Sequence, residues 1–310
     1  MKKILITGVS GFVGSFLTEY MLAKNPHVFG FDLQPGKLAI EYHQGEITDR
    51  SAIQNVLRKT NPDVIFHLAG IIKSLEPDTL YKVNLLGTVA LFDSIVKSEL
   101  RPVVVVASSS AVYGHKSGEY PISEKADIHP VTHYAVSKVA QEMAALRYFN
   151  SYQMPVMIVR MFNLLGPGQP PDLACSSFAR QIAIAETGGK AEISTGNLDA
   201  QRDFVDVRDA VRAFASVAEK GTPGQVYNVC TGRAIKIQTC LNEMISMSTQ
   251  QIKVKVDAGR IQNDDVPIQI GNAKKIKLAT GWSPQISLRQ SLLDLLNDWR
   301  EKVKAEAEVE

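Results

Sequence analysis

The sequence predicts an α/β fold built on a doubly wound parallel sheet, with a smaller C-terminal lobe. Short apolar segments alternate with helix-like stretches, which is typical of parallel strands joined by right-handed helical crossovers. The predicted strands are Ile4–Thr7, Val28–Phe31, Val64–Leu68, Val103–Ser108 and Val156–Met161. After about Asn163 prolines and glycines interrupt this regular pattern. The third observation is a glycine-rich turn directly after the first strand, which is typical of a doubly wound parallel sheet.

The change of pattern places a domain boundary near residue 162. Residues 1–162 are predicted to form the sheet domain. Residues 163–310 are predicted to form a substrate-binding lobe that is interleaved with late elements of the first domain. Within the second half, Arg208–Lys220 and Leu288–Trp299 still have the apolar periodicity of helices.

The first predicted strand continues into a glycine turn, Gly8 to Gly14, and an amphipathic stretch, Ser15–Lys24, follows. A strand, a glycine turn and a helix in this order predict a Rossmann dinucleotide-binding unit. The first glycine would allow a tight turn, the second a close approach of backbone to pyrophosphate, and the third close packing of helix on strand. The spacing is G-x-x-G-x-x-G instead of the commoner G-x-G-x-x-G. The residues predicted to contact the cofactor here are Gly8, Gly11, Phe12, Val13 and Gly14.

Asp32 follows the second predicted strand. It lies at about the distance from the glycine turn at which an acidic residue binds the ribose hydroxyls of adenosine. No lysine or arginine follows until Lys37, so a ribose 2′-phosphate would meet a negative charge. The sequence therefore favours NAD(H) as cofactor, with NADP(H) as the alternative.

A tyrosine and a lysine four residues apart, Tyr134 and Lys138, lie in a predicted helix. This spacing puts both on one helical face, so both polar groups can reach one pocket. An adjacent ammonium would lower the pKa of the tyrosine, which could then exchange a proton with an alcohol oxygen. The same spacing arises where a ring packs on the core and a lysine extends to water. The glycine turn and Asp32 favour the proton-transfer interpretation.

Several of these features together resemble the extended short-chain dehydrogenase/reductases, the NAD-dependent epimerase/dehydratase family that acts on nucleotide sugars. The features are the glycine turn, Asp32, the segment around Asn84, Ser109 and the Tyr134/Lys138 pair. The resemblance covers essentially the whole chain and implies that Lys138 also holds the nicotinamide ribose. The further cofactor contacts that it implies are Glu46, Ile47, Leu68, Ala69, Gly70 and Asn84.

The strand Val103–Ser108 opens into hydroxyl residues at its carboxyl end, where a doubly wound fold binds its ligands. In the resemblance, Ser109 falls at the catalytic Ser/Thr position, so its hydroxyl would hydrogen-bond the reacting oxygen of the sugar. Ser108 and Ser110 are interpreted mainly as caps of backbone groups, with Ser110 also placed beside the substrate. Family members that dehydrate sugars carry a carboxylic acid where this chain has Ala111, so a 4,6-dehydratase is not expected.

Further segments carry the substrate side of the resemblance. One resembles the family's R-x-F-N-x-x-G-P-G segment, in which the asparagine, here Asn163, contacts the substrate. In the segment GNLDAQRD, the arginine, here Arg202, would bind the diphosphate of a nucleotide sugar. A surface ion pair with a neighbouring aspartate is the alternative for this arginine. Arg180 and Arg260 are further cations that could reach the nucleotide, although Arg180 also fits an ordinary solvated helix face.

Composition sets the remaining expectations. The 310 residues are 45% hydrophobic and 21% charged with a net charge of +2, so neither a nucleic acid nor a membrane partner is expected. No apolar stretch approaches the ~20 residues that span a bilayer. Three cysteines without disulfide or zinc spacing suit a reducing cytoplasm, and no metal site is predicted. The resemblance implies a homodimer through the helices that contain Asn84 and Tyr134.

Three functions are compatible with these residues. The favoured one is NAD(P)-dependent reduction of a 4-keto-6-deoxy hexose, with GDP as the favoured carrier because GNLDAQRD resembles the branch that handles GDP-mannose derivatives. Tyr134 would transfer the proton and Ser109 would orient the C4 oxygen. The second is a nucleotide-hexose 4-epimerase, which keeps its NAD bound and returns the hydride to the opposite face. The third is a catalytically silent NAD(H)-binding scaffold, against which the intact Ser109, Tyr134 and Lys138 argue.

Overall fold

The computed structural model describes residues 2–114, 120–257, 259 and 266–308. In chain order its strands are β1 (Ile4–Thr7), β2 (Val28–Asp32), β3 (Glu41–Gln44), β4 (Val64–His67), β5 (Val103–Ser109), β6 (Val156–Met161), β7 (Asn163–Leu165), β8 (Glu192–Thr195), β9 (Gln201–Arg202), β10 (Phe204–Asp206), β11 (Val226–Val229), β12 (Ile235–Lys236), β13 (Lys253–Val256) and β14 (Ile268–Gln269). Its α-helices are α1 (Phe12–Leu22), α2 (Arg50–Thr60), α3 (Pro77–Tyr81), α4 (Gly87–Lys97), α5 (His133–Tyr152), α6 (Ala174–Glu186), α7 (Val207–Lys220), α8 (Ile237–Ser246), α9 (Lys274–Thr280) and α10 (Leu288–Ala307). A π-helical turn, Lys82–Leu86, joins α3 to α4, and a 3-10 turn, Ser110–Tyr113, follows β5.

The main sheet has seven parallel strands in the order β11-β6-β5-β4-β1-β2-β3. The order reverses between β1 and β4, and doubly wound sheets bind their ligands in the crevice at such a switch point. The predicted doubly wound parallel sheet is therefore confirmed. Each of the five predicted strands ends within one residue of its prediction, whereas α1 begins at Phe12, three residues earlier than predicted.

Two strands of this sheet were not predicted from the sequence. The edge strand β3 is polar and partly exposed, so it lacks the apolar run that marked the other strands. The opposite edge strand, β11, comes from the second half of the chain and pairs with β6. The exact domain boundary near residue 162 stays a prediction.

Both faces of the sheet are buried. One face packs on α1, α7 and α9, and its core includes Ile6 and Phe214. The other packs on α2, α4 and α5, and its core includes Leu5 and Phe92. Neighbouring strand residues point to opposite faces, so burial on both sides explains why the strands are apolar at nearly every position.

The smaller lobe has a core of its own, formed by α6, α8 and α10. Phe178, Leu241 and Leu295 pack together there. The short strand β9 is paired with β12 on one side and β14 on the other, and β10 is paired with β7. These short strands bring the smaller lobe to the carboxyl edge of the main sheet.

Among the residues that the structure describes, one helical stretch, Pro77–Lys97, is long and apolar enough to span a membrane, with 21 residues and a mean hydropathy of 1.2. Half of the tested window is buried inside the fold. The core helix of a globular protein passes the same test, so this is weak support for a membrane span.

Candidate active site

A cavity of about 1130 Å³ lies between the glycine turn, the ends of β4 and β5, the start of α5 and the smaller lobe. The predicted site residues in its wall are Gly8, Gly11, Phe12, Val13, Gly14, Leu68, Gly70, Ser109, Ser110, Tyr134, Lys138, Asn163 and Arg202. Asp32, Glu46, Ile47, Ala69, Asn84 and Arg180 are described but do not line it. Arg260 lies outside the described residues.

The glycine turn needs its first and third glycines. Gly8 has a φ of +77°, and a Cβ there would lie 2.6 Å from the backbone nitrogen of Ala69. A Cβ on Gly14 would lie 2.1 Å from the carbonyl oxygen of Gly8. Only glycine fits both positions, and the turn then brings the N-terminus of α1 to the cavity. This end of a helix suits a pyrophosphate, so the residues present fit a dinucleotide.

Asp32 supports the turn from behind. Its Oδ2 accepts hydrogen bonds from the backbone nitrogen of Ser10 at 2.9 Å and from the Ser10 hydroxyl at 2.6 Å. Its Oδ1 accepts a hydrogen bond from the Leu33 nitrogen at 2.7 Å. The carboxylate thus joins the end of β2 to the glycine turn.

Glu46 and Ile47, two of the cofactor contacts implied by the family resemblance, contact other protein groups. The Glu46 carboxylate lies 3.2 Å from the Lys82 ammonium, and the hydrogen bond from Lys82 lowers the pKa of Glu46. Ile47 is buried, and its side chain packs where a Cβ on Gly87 would be. Ile47 therefore acts first as a core residue beneath α4.

Ser109 and Tyr134 face each other at the end of β5. Ser109 caps the 3-10 turn, and its Oγ accepts a hydrogen bond from the Ala111 nitrogen at 3.1 Å. Tyr134 lies in the first turn of α5, which Thr132 caps by accepting a hydrogen bond from Ala135. Burial raises the pKa of Tyr134, and its hydrogen bond with Ser109 opposes that rise.

The expected effect of Lys138 on Tyr134 is not what the structure shows. The Lys138 ammonium donates hydrogen bonds to the Ala107 carbonyl at 2.7 Å and to Gln141 Oε1 at 2.5 Å. The pKa of Tyr134 is raised, mainly by burial, and not lowered as expected. Burial also lowers the pKa of Lys138 to about 8.

A buried series of hydrogen bonds between neutral side chains continues from Gln141. Its Nε2 donates to the Thr88 hydroxyl at 2.9 Å, and the same hydroxyl lies 2.8 Å from His67 Nε2. His67 Nδ1 in turn lies 2.8 Å from the Thr7 hydroxyl on β1. Burial lowers the pKa of His67 to about 3, so the ring is neutral near neutral pH. No sequence pattern predicted this series of hydrogen bonds.

Asn84 lies in the π-helical turn behind the cavity. Its Oδ1 accepts a hydrogen bond from the Ile71 nitrogen at 2.9 Å, and its Nδ2 donates to the Ile71 carbonyl and to the Ser137 hydroxyl, both at 2.9 Å. Protein groups thus engage both ends of the amide. It shapes the loop after β4 instead of reaching into the cavity.

The interpretation of Ser108 and Ser110 as backbone caps is wrong. The Ser108 hydroxyl donates to Glu142 Oε1 at 2.5 Å, and Glu142 forms a buried ion pair with Arg160. The Ser110 hydroxyl donates to Gln269 Oε1 at 3.1 Å. Both hydroxyls reach side chains of distant segments, which no local pattern could indicate.

Of the residues predicted to bind the substrate, some line the cavity and others do not. Asn163 and Arg202 line the cavity. The aspartates closest to Arg202 in the sequence, Asp203 and Asp206, have partners of their own: Asp203 accepts hydrogen bonds from Thr231, Gly232 and Gly271, and Asp206 is paired with Arg208. Arg180 is exposed, and its guanidinium lies 5.8 Å from the centre of the Trp299 ring, so the structure gives it no place in the cavity.

Sequence reasoning also missed polar groups in the cavity wall. Gln169 Oε1 and Thr195 Oγ1 are buried and have no hydrogen-bond partner among the described residues. Such atoms are available to a bound ligand.

Among the described residues, no cluster of three or more His, Cys, Asp or Glu side chains could hold a metal ion. Cys175, Cys230 and Cys240 are buried and unpaired.

A glycine turn at the switch point of a doubly wound sheet, with a serine, a tyrosine and a lysine in the same cavity, defines a short-chain dehydrogenase/reductase of the extended type. Within that class the chain belongs to the GDP-mannose 4,6 dehydratase family, whose sequence pattern matches residues 5–295. The family resemblance drawn from the sequence is confirmed.

The chain is similar to several enzymes named for nucleotide sugars. It is 31% identical to a GDP-6-deoxy-D-mannose reductase of Pseudomonas aeruginosa, over 98% of this chain and 99% of that one. It is also 31% identical to a GDP-6-deoxy-D-talose 4-dehydrogenase of Aggregatibacter actinomycetemcomitans, over 88% and 90%. A solved structure of the protein RMD from Pseudomonas aeruginosa, complexed with NADPH, has a TM-score of 0.88 at 30% identity and covers 97% of this chain and 100% of that one.

Proposed function

We propose that the protein is an NAD(P)H-dependent oxidoreductase that reduces the C4 ketone of a 6-deoxyhexose carried on GDP. The observation that carries this proposal is that Ser109, Tyr134 and Arg202 line one cavity. They do so in a chain 31% identical to a GDP-6-deoxy-D-mannose reductase. Ala111 supports reduction over dehydration, because its methyl group cannot protonate a leaving hydroxide.

The glycine turn and Lys138 are the groups proposed to hold the cofactor, which when bound supplies the hydride. The negative charge of Asp32 favours NAD(H). NADP(H) is the alternative, supported by the NADPH in the Pseudomonas aeruginosa structure. Dissociation constants for NADH and NADPH, compared between wild type and Asp32→Asn, test this preference. A substitution that leaves their ratio unchanged would show that Asp32 does not select the cofactor.

The reacting groups of the protein are suited to ketone reduction. A raised pKa keeps Tyr134 protonated, so its hydroxyl can give a proton to the C4 oxygen as negative charge develops there. The Ser109 hydroxyl can donate a hydrogen bond to the same oxygen. Arg202 offers a planar set of donors to the diphosphate.

Turnover and one substitution test the proposal. Purified protein is incubated with NADH or NADPH and a GDP-4-keto-6-deoxyhexose, and the loss of reduced cofactor is followed by absorbance. We expect turnover by the wild type and a fall in kcat of about 10²-fold or more for Tyr134→Phe, with cofactor affinity retained. Tyr152→Phe, on the exposed end of the same helix, is the matched control. Full activity of Tyr134→Phe would refute its role.

A nucleotide-hexose 4-epimerase is the second candidate. The chain is 29% identical over 97% of its length to a UDP-glucose 4-epimerase of Mycolicibacterium smegmatis, and Ala111 suits an epimerase equally. Interconversion of UDP- or GDP-hexoses without net cofactor consumption would identify this activity. Binding of NAD(H) without turnover of any of these sugars would leave the scaffold function.

We further propose a cytoplasmic homodimer formed through the helices that contain Asn84 and Tyr134. Leu86, Val136 and Met143 are 53%, 39% and 50% exposed on this side, and the last two share one face of α5 because they are seven residues apart. Light scattering should give the mass of two chains for the wild type and one for Met143→Glu. A monomeric wild type would contradict the dimer.

The three buried free cysteines support a reducing compartment, which fractionation of the native cells would test.

A further inference from the structure

Gln269 joins the smaller lobe to the 3-10 turn that follows β5. Its side chain is 7% exposed and makes two hydrogen bonds to Ser110, which is 159 positions away in the chain. Nε2 donates to the Ser110 carbonyl at 2.9 Å, and Oε1 accepts from the Ser110 hydroxyl at 3.1 Å. One amide therefore fixes both the backbone and the side chain of Ser110.

The backbone of Gln269 is fixed to the strand that carries Arg202. β14 runs parallel to β9 with Gln269 opposite Arg202, and the Gln269 carbonyl accepts a hydrogen bond from the Asp203 nitrogen at 3.0 Å. The buried Asp203 carboxylate holds the backbone of Gly232 and Gly271 at 2.8 and 3.2 Å. Arg202 and Gln269 therefore belong to one hydrogen-bonded frame.

Ser109 lies between two residues whose side chains are held by different parts of the molecule. Ser108 is bound to Glu142 on α5, the helix that also carries Tyr134. Ser110 is bound to Gln269 from the smaller lobe. The position of the Ser109 hydroxyl relative to Tyr134 thus depends on both contacts.

We propose that Gln269 is a positioning residue that holds the Ser109 hydroxyl at its reacting position and ties it to the strand that binds the substrate diphosphate. This inference rests on the proposed function, since it concerns the same site. A displacement of about 1 Å at a reacting group lowers the rate about 10²-fold. Gln269 also lines the cavity, but its backbone pairing with β9 does not depend on its side chain. The loss therefore falls mainly on the chemical step.

The test compares Gln269→Leu with the wild type, using NADH or NADPH and a GDP-4-keto-6-deoxyhexose. We expect kcat to fall about 10²-fold, while the KM for the sugar and the cofactor dissociation constant stay within about threefold. Gln290→Leu is the matched control, because the amide of this exposed glutamine on α10 donates to Asp294 at 2.7 Å, far from Ser110 in the sequence. Unchanged kcat in Gln269→Leu would overturn the proposal. Equal losses in kcat, KM and cofactor binding would also overturn it, because they indicate general disruption.

A second variant tests whether the two residues act together. Ser110→Ala removes the hydroxyl bond and keeps the bond to the Ser110 carbonyl, so its kcat should fall less, by about tenfold. The double variant should be no slower than Gln269→Leu alone, since Gln269→Leu already removes the hydroxyl bond that Ser110→Ala breaks. Additive losses would mean that Gln269 acts on something other than Ser110.

A third measurement does not need turnover. Without substrate, hydrogen exchange in the segment 105–113 should be faster in Gln269→Leu than in the wild type, with exchange in α1 and α10 unchanged. Equal exchange in this segment would overturn the proposal. If the wild type fails to reduce the sugar, the proposed function fails, and the exchange result still decides whether Gln269 holds this strand end.

Discussion

Two buried polar networks support the active site from below, and they differ in charge. Beneath Ser108, Glu142 accepts hydrogen bonds from Arg160 at 2.8 and 2.6 Å, a buried ion pair that joins α5 to β6. Beneath Lys138, a neutral chain runs through Gln141, Thr88 and His67 to β1. Both networks start on α5, one turn apart.

The two networks differ in what the loss of one side chain costs in stability. A buried ion pair is balanced only while both partners are present, because either charge alone is strongly disfavoured in the interior. A neutral chain loses individual hydrogen bonds and leaves smaller penalties. We infer that the ion pair fixes the frame around Ser109, and that the neutral chain holds Lys138 without adding a second charge near its ammonium.

The largest effect is expected from breaking the ion pair. Arg160→Leu leaves the Glu142 carboxylate buried without its partner, so the free energy of unfolding should fall by about 3–5 kcal/mol in urea titrations. Arg50→Leu is the matched control, because it breaks the exposed Arg50–Asp93 pair and should cost at most about 1 kcal/mol. Similar losses in the two variants would contradict the comparison.

The neutral network should fail in acid through His67. Burial and the nearby Lys138 charge lower the pKa of the folded ring to about 3, below its ordinary value of 6.5. The unfolded chain therefore binds the proton more readily, so the stability that neutral His67 contributes is complete above pH 6.5 and is lost as the pH falls toward 3. This loss should amount to roughly 3 kcal/mol between pH 6.5 and 4.

His67→Gln should flatten this part of the profile, measured as the free energy of unfolding at a series of pH values. His27→Gln, at an exposed position, should leave the slope unchanged. If His67→Gln keeps the slope of the wild type, the acid sensitivity arises elsewhere.

The smallest effect on stability is expected from breaking one link of the neutral chain. Gln141→Leu removes partners of Lys138 and Thr88 and should cost about 1–3 kcal/mol. Because Lys138 loses an acceptor, the cofactor dissociation constant should rise more than the KM for the sugar. Gln290→Leu again serves as control, and a loss as large as that of Arg160→Leu would erase the distinction between the networks.

Much of the fold could be predicted because its signals are local. The apolar strands, the glycine turn and the spacing of Tyr134 and Lys138 each lie within a few consecutive residues, and the sheet follows from their alternation. The edge strand β3 could not be predicted in the same way, since it is not buried on both faces. The pKa of Tyr134 was expected to be lowered beside Lys138 and is instead raised, because burial, which depends on the whole fold, is its largest cause.

The sequence by itself determined the fold class, the family and the glycine turn, Ser109, Tyr134 and Lys138 of the cavity, because short patterns encode strands, turns and helical faces. Only the tertiary structure decided what holds these residues in place. Asn84 bonds to a residue 13 positions away, Ser108 to one 34 away and Ser110 to one 159 away. The physical reason is that a buried polar group needs a partner, and the chain path, not local spacing, determines which distant residue supplies it.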